Sequence, residues 1–171
     1  MNDNDSAPGI DARTFWRVLG QRATGMTIVT ARNETGPAGL VALSAAHVSA
    51  DPATMLVSID RKTAALAAVL AARHFAVNFL GADDAALVDI FGGRAGVTGP
   101  ARFEGRDWGT LASGAPVLAT AIGAFDCAID QVVEQGEVTI VIGRVLAASA
   151  GEGEPLVFYR GKSFRGLGEP I

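Results

Sequence analysis

The chain has 171 residues, a formal net charge of −4, 49% hydrophobic and 19% charged residues, one cysteine and two histidines. That length suits one domain with its own core, and the composition excludes a disordered polyelectrolyte. Cys127 alone cannot form an internal disulfide, His47 and His74 make no metal-ligand cluster, and the lack of a basic block argues against nucleic acid as a partner.

Residues 1–10 are polar with Pro8 and Gly9 and are expected to form a flexible tail ahead of a single domain over 11–171. Asp11 precedes Phe15, Val18 and Leu19, a spacing that predicts a short helix with one apolar face, ended by Gly20 to Gly25. Strand-like runs follow at 26–31, 40–43, 54–59 and 75–80, with a polar turn, NETGPAG, after the first. Two helical insertions interrupt them, an alanine-rich one at 63–72 and one at 83–91 opened by paired aspartates. The apolar stretches are too short to cross a bilayer and no signal segment opens the chain, so a soluble cytoplasmic protein without a membrane partner is expected.

Residues 92–114 hold seven glycines and read as an irregular, partly exposed loop, of the kind that is often functional. After Pro116, runs at 124–133 and 138–146 predict a hairpin across the turn at Gly136, and 156–159 predicts a last strand. Many strands, few helices and no βαβ alternation predict a mainly β fold, an antiparallel barrel with helical insertions.

Most candidate motifs fail. RGKS at 160–163 lacks the upstream glycine of a phosphate-binding loop, because Leu156 stands there, and GGRAG at 92–96 follows a predicted helix where a dinucleotide fingerprint must follow a strand. Neither histidine lies near a nucleophile motif, so no catalytic side chain is assigned, and no metal ligand either. Cys127 alternates with Phe125 and Ile129 along a predicted strand, the pattern of a buried apolar residue, and His74, opening a strand, reads as structural.

Two segments remain. SAAHVSADP at 44–52 is a loop of small residues that admits a planar ligand against the backbone, or simply a tight connection. SIDRKTAAL at 58–66 places Arg61 and Lys62 where a helix begins, with Thr63 as its expected cap. Two cations at an electropositive helix start are unfavourable unless an anion joins them, so Arg61, Lys62 and Thr63 form a candidate phosphate cradle; a solvated pair screened by Asp60 is the alternative.

Four stretches, FWRVLGQRATGMTIVTA at 15–31, GLVALSAAHVSADPATMLVSIDRKT at 39–63, HFAVNFL at 74–80 and GRVLAASAGEGEPLVFYRG at 143–161, resemble in order the flavin reductases of the FMN-binding split-barrel family. The resemblance implies an antiparallel split β-barrel and an NAD(P)H:flavin oxidoreductase that supplies reduced FMN or FAD to a partner monooxygenase, typically as a homodimer with flavin near the subunit interface. It places the flavin ring along Val41, Ala42, Leu43, Ser44, Ala45, His47 and Ser49, and the phosphate near Arg61, Lys62 and Thr63. A bound flavin performs the hydride chemistry, so no acid-base triad is required.

The chain also departs from the family pattern. Val41 and Leu43 stand where polar residues are usual, and His47 where a serine is. RGKSF carries one extra residue before its aromatic Phe164. A turn that elsewhere reads Gly, Asp, His is Gly136, Glu137, Val138 here, and that histidine is associated with the nicotinamide side. These departures keep two rivals open: a flavin-dependent oxidase or oxygenase that does not use nicotinamide, and a non-catalytic flavin-binding module.

Overall fold

The computed structural model describes residues 9–169, so positions 1–8 of the expected tail lie outside the described residues. Helix α1 (Ala12–Leu19) opens the described chain, and the Asp11 carboxylate accepts a hydrogen bond from the Thr14 amide at 2.7 Å, as an N-cap should. Seven antiparallel strands then form the main sheet: β2 (Thr27–Asn33), β3 (Gly36–Val41), β4 (Ala46–Ala50), β5 (Ala53–Asp60), β6 (His74–Phe79), β9 (Gly123–Gln135) and β10 (Val138–Ala150). Their order across the sheet is β3-β2-β6-β9-β10-β5-β4.

A second, three-stranded sheet joins β1 (Thr24–Gly25), β11 (Leu156–Tyr159) and β12 (Lys162–Arg165), and a third pairs β7 (Trp108–Thr110) with β8 (Pro116–Leu118). Backbone bonds from Met26 to Leu156, from Leu156 to Leu80 and from Leu80 to Met26 tie the small three-stranded sheet to the large one. The predicted mainly antiparallel architecture is therefore the observed one.

Strands β2 and β6 and residues 123–129 of β9 are largely buried on both faces, whereas β9 is exposed from Asp130 to Gln135. Alternate residues point two ways. Val29, Val57, Phe75, Val77, Cys127, Ile129 and Val141 face one core, closed by Leu66 and Val69 of α2 (Ala65–Ala72). Ile28, Leu80 and Leu118 face another, built with Leu87, Val88 and Phe91 of α3 (Ala86–Phe91) and with Phe103. At about 1.5–3 kcal/mol for each large side chain fully withdrawn from water, these two cores dominate the stability.

One glycine position is dictated by packing. A Cβ at Gly143 would lie 2.7 Å from the Phe75 ring and 2.9 Å from the Ala128 carbonyl oxygen, so β10 crosses β9 with no room for a side chain.

The structure corrects several sequence expectations. Residues 92–114 are not simply irregular. They carry a 3₁₀ turn at Gly99–Phe103 and strand β7, and the rings of Phe91, Phe103 and Trp108 stack with centroids 4.8–5.8 Å apart. Polar ties fasten this segment to the sheet. Arg106 reaches buried Asp84 at 3.5 Å, Arg102 donates to the Gly39 carbonyl, and both the Ser113 amide and its hydroxyl donate to buried Asp126. The segment is an outer wall, and it contributes nothing to the cleft described below.

The small-residue segment 44–52 is likewise not all loop, since Ala46–Ala50 pairs with β5 as an edge strand. The predicted helix at 83–91 is broken into a 3₁₀ turn at Ala82–Asp84 and α3, because Asp84 turns inward to accept from the Thr120 hydroxyl. RGKSF forms a hairpin: Tyr159 pairs with Lys162, and Arg160 and Gly161, with φ of 48° and 80°, make the two-residue turn between β11 and β12.

Candidate functional site

A cleft of about 1170 Å³ is bounded by α1 and the turn after it, the end of β3, the end of β5, and the β11–β12 hairpin. Its floor is Leu40, Val41, Ala42 and Leu43. These side chains are apolar and small enough to leave the backbone within reach of a flat ligand.

The floor is held rigidly. Thr27 donates its hydroxyl to the Ala42 carbonyl, and the Ala42 amide donates to Thr27 at 3.0 Å. Beyond Val41 the chain leaves the sheet, and among the described residues the amides of Leu43 and Ser44 find no protein acceptor. Two backbone donors are thus presented at the lip of an apolar surface, where an unpaired amide gains most from a ligand acceptor.

One end of the cleft is polar. The Ser44 hydroxyl donates to the Ser58 carbonyl at 2.8 Å and accepts from the Ser58 amide at 3.2 Å, stitching the end of β3 to β5. Beside it stand Asp60 and Thr63. The Thr63 amide donates to the Asp60 carbonyl, and among the described residues its hydroxyl has no protein partner. The helix begins later than predicted: Ala64 is the N-cap residue of α2, with no side-chain cap. The Leu66 amide of the first turn donates to the Thr63 carbonyl at 3.0 Å, so the donor this corner offers an anion is the Thr63 hydroxyl.

The candidate residues separate. Val41, Ala42, Leu43, Ser44 and Thr63 come together in the cleft, whereas Ala45, His47, Ser49, Arg61 and Lys62 do not line it. Ala45 packs against the inner core. His47 and Ser49 sit on edge strand β4, and the Ser49 hydroxyl is engaged locally with Asp51.

Arg61 is turned away toward the β9–β10 hairpin. Its Nη1 lies 3.4 Å from the Gly136 carbonyl and 4.0 Å from Glu134 Oε2, while its amide donates to the Glu137 carbonyl. Lys62 is exposed, and its amide donates to Asp60 Oδ1 at 2.8 Å. Of the three residues expected to form the cradle, Thr63 lines the cleft and Arg61 and Lys62 stand outside it.

Val138, by contrast, does line the cleft. The turn before it is Gly136-Glu137, with Gly136 at φ of 56° and Gln135 paired to Val138. This two-residue loop sets a valine, unable to donate or accept a proton, against the site.

Most of the residues that line the cleft lie outside the set expected from the sequence. Trp16, Arg17, Arg22, Phe158 and Arg160 line it because β1 pairs with β11, Thr24 opposite Phe158, bringing residues more than 130 positions apart together. Nothing local in the sequence says which wall the Arg160–Gly161 turn joins.

Cys127 takes no part. It is fully buried, and burial together with the adjacent Asp126 pushes its thiol up to about 12. Among the described residues no helix is long and apolar enough to cross a membrane.

Comparison with known proteins places this site in context. Residues 19–167 match the flavin reductase like domain. The chain is 37% identical over 161 residues to the FMN reductase (NADH) RutF 2 of Methylorubrum extorquens, covering 94% of this chain and 92% of that protein. It is 34% identical to HsaB of Rhodococcus jostii, the reductase subunit of a flavin-dependent monooxygenase, covering 92% of this chain and 79% of the relative. Among solved structures it superposes with a TM-score of 0.84, at 29% identity, on the Streptomyces globisporus NADH:FAD oxidoreductase SgcE6 in complex with NAD and FAD fragments, covering 96% of this chain and all of that one.

Proposed function

The chain belongs to the flavin reductase family, and from that premise we propose that it is an NADH-dependent flavin reductase that reduces FMN and supplies it to a separate monooxygenase. The single observation that carries this reading is the cleft itself: an apolar floor at Val41–Leu43, two amides without protein acceptors at Leu43 and Ser44, and an anion-suited corner at Thr63. That combination fits FMN, whose tricyclic ring is flat and apolar with polar edges and whose side chain ends in a phosphate.

Bound flavin supplies the hydride acceptor. The protein's own residues bind and orient. Leu40 to Leu43 exclude water from one face of the ring. The Leu43 and Ser44 amides donate to its polar edge. The Thr63 hydroxyl would hold the phosphate. Val138 closes the nicotinamide side by packing alone.

The protein works as a homodimer in this reading. Phe15, Trp16 and Val18 of α1 are 48–66% exposed, an apolar face beside the cleft that a second copy would cover. Light scattering should then report twice the 17.5 kDa chain mass.

The direct test mixes purified protein with FMN and NADH under anaerobic conditions and follows the flavin's visible absorption. Bleaching that scales with protein concentration is expected. Tight flavin binding without bleaching by NADH or NADPH would refute the reductase assignment in favour of a flavoprotein that does not use nicotinamide.

A further inference from the structure

The mouth of the cleft carries three arginines, Arg17, Arg22 and Arg160, and among the described residues no carboxylate lies within 4.0 Å of any of them. Arg61, Arg94, Arg106 and Arg165, by contrast, each have an acidic partner.

Arg160 is the most constrained of the three. Its backbone holds a left-handed φ of 48°, its amide donates to the Gly20 carbonyl, and its guanidinium carbon lies 5.1 Å from the Tyr159 ring centroid. Nε and Nη2 both donate to Gln21 Oε1, at 2.9 and 2.5 Å. That neutral acceptor fixes the fork without cancelling its charge, and three of the five N–H donors are left over.

The cleft also exceeds the roughly 300–1,000 Å³ typical of a site for one small ligand. The corner at Thr63 already accounts for one phosphate.

We propose that Arg160, flanked by Arg17 and Arg22, is the subsite for the pyrophosphate of the nicotinamide dinucleotide, with Gln21 as the residue that positions it. The assignment rests on the flavin reductase reading above and adds a specificity-determining residue to it. A pyrophosphate is a bidentate, doubly charged acceptor, a better partner for a guanidinium fork than an amide oxygen. Electrostatic attraction at the mouth also steers the anionic reductant onto a flavin already seated deeper.

The test compares two reductants on the FMN-loaded enzyme: NADH, and N-benzyl-1,4-dihydronicotinamide, which has no phosphate. Arg160→Asn removes the charge yet keeps a residue that tolerates the left-handed turn before Gly161. Gln21→Glu neutralises the fork from the opposite side and leaves the turn untouched. For both variants the ratio of kcat/KM with NADH to kcat/KM with the phosphate-free reductant should fall about tenfold, the scale of one charge-assisted hydrogen bond. The loss should sit mainly in KM for NADH and shrink as salt rises.

An equal loss with both reductants would make Arg160 a structural residue and overturn the proposal. A weaker affinity for FAD than for FMN, with the NADH ratio intact, would assign the arginines to the flavin's own adenylate and overturn it as well. A wild-type protein that bleaches with neither reductant would instead remove the reductase reading on which the proposal rests.

Discussion

Replacing Thr63 by valine separates the phosphate corner seen in the structure from the cation pair expected of the sequence. Valine is nearly isosteric with threonine, so the substitution deletes a hydroxyl that has no protein partner among the described residues and leaves packing at the start of α2 almost unchanged. A hydrogen bond to a charged group contributes about 1.5–3 kcal/mol, so the FMN Kd should rise between about ten- and 150-fold. Riboflavin, which lacks the phosphate, should be weakened less than about twofold, because the floor at Val41–Leu43 and the amides beyond it are intact. Arg61→Ala is the matched control. Arg61 lies outside the cleft, and its 4.0 Å contact with Glu134 is between side chains 50% and 70% exposed. Losing such a pair costs at most about 1 kcal/mol and should change FMN affinity less than about threefold. Fluorescence titration of both flavins against both variants reads all four numbers. If Arg61→Ala weakens FMN more than Thr63→Val does, or if Thr63→Val weakens riboflavin as much as FMN, the corner at Thr63 does not hold the phosphate.

Three further expectations concern the scaffold. Asn78 is fully buried; it donates to the Ile28 and Pro116 carbonyls and the Thr30 hydroxyl and accepts from the Leu118 amide at 2.8 Å, so Asn78→Leu should cost about 1–3 kcal/mol by orphaning that amide, read as a lower urea midpoint at constant m-value. Gly143→Ala must displace the Phe75 ring or the β9 backbone and should lower stability by about 1–3 kcal/mol, whereas an unchanged melting temperature would contradict the packing described. The Cys127 thiol is held protonated up to about 12, above its ordinary 9.0, so the folded state binds the proton more tightly than the unfolded. Stability from this group is complete below pH 9 and is lost progressively as pH rises from 9 toward 12. Cys127→Ala should flatten that part of the stability–pH profile, and the native wild-type thiol should resist alkylation at neutral pH.

What was legible in the sequence was whatever is decided locally. Asp11 ahead of a 3.6-residue apolar pattern fixes α1, and Gly136 between two β-branched runs fixes the β9–β10 hairpin with its register. Alternation of Phe125, Cys127 and Ile129 correctly marks a strand facing the core. Val41 to Ser44 and Thr63, singled out by small residues and a helix start, do share the cleft. The errors have a common physical origin. Arg61 looked like an anion ligand because its neighbours in sequence are a helix start, but its side chain is drawn to the Gly136 carbonyl and Glu134, which belong to a hairpin 75 positions away. Ser49 looked available until its hydroxyl was claimed by Asp51. The wall formed by Arg17, Arg22 and Arg160 depends on the pairing of β1 with β11, and a two-residue strand at Thr24–Gly25 has too little pattern to be recognised in advance.

The departures at Val41, Leu43 and Val138 acquire a meaning once they are seen to share one cleft. In the proposed reading each replaces a polar group expected at the flavin with a side chain that cannot hydrogen-bond, so recognition of the ring would fall to the backbone and to shape. That transfer is tolerable only if the backbone is fixed, and it is: Ala42 is bonded to Thr27 in both directions, and Ser44 uses its hydroxyl as donor and acceptor to lock the strand end onto Ser58. Hydride transfer between two stacked planar groups requires distance and alignment more than a proton relay. A rigid apolar floor with polar groups confined to its ends supplies this, with Thr63 at one end and the arginines at the other. Side chains along the middle of the cleft are then free to vary, and the presence of a valine where a histidine was expected is compatible with the same reaction.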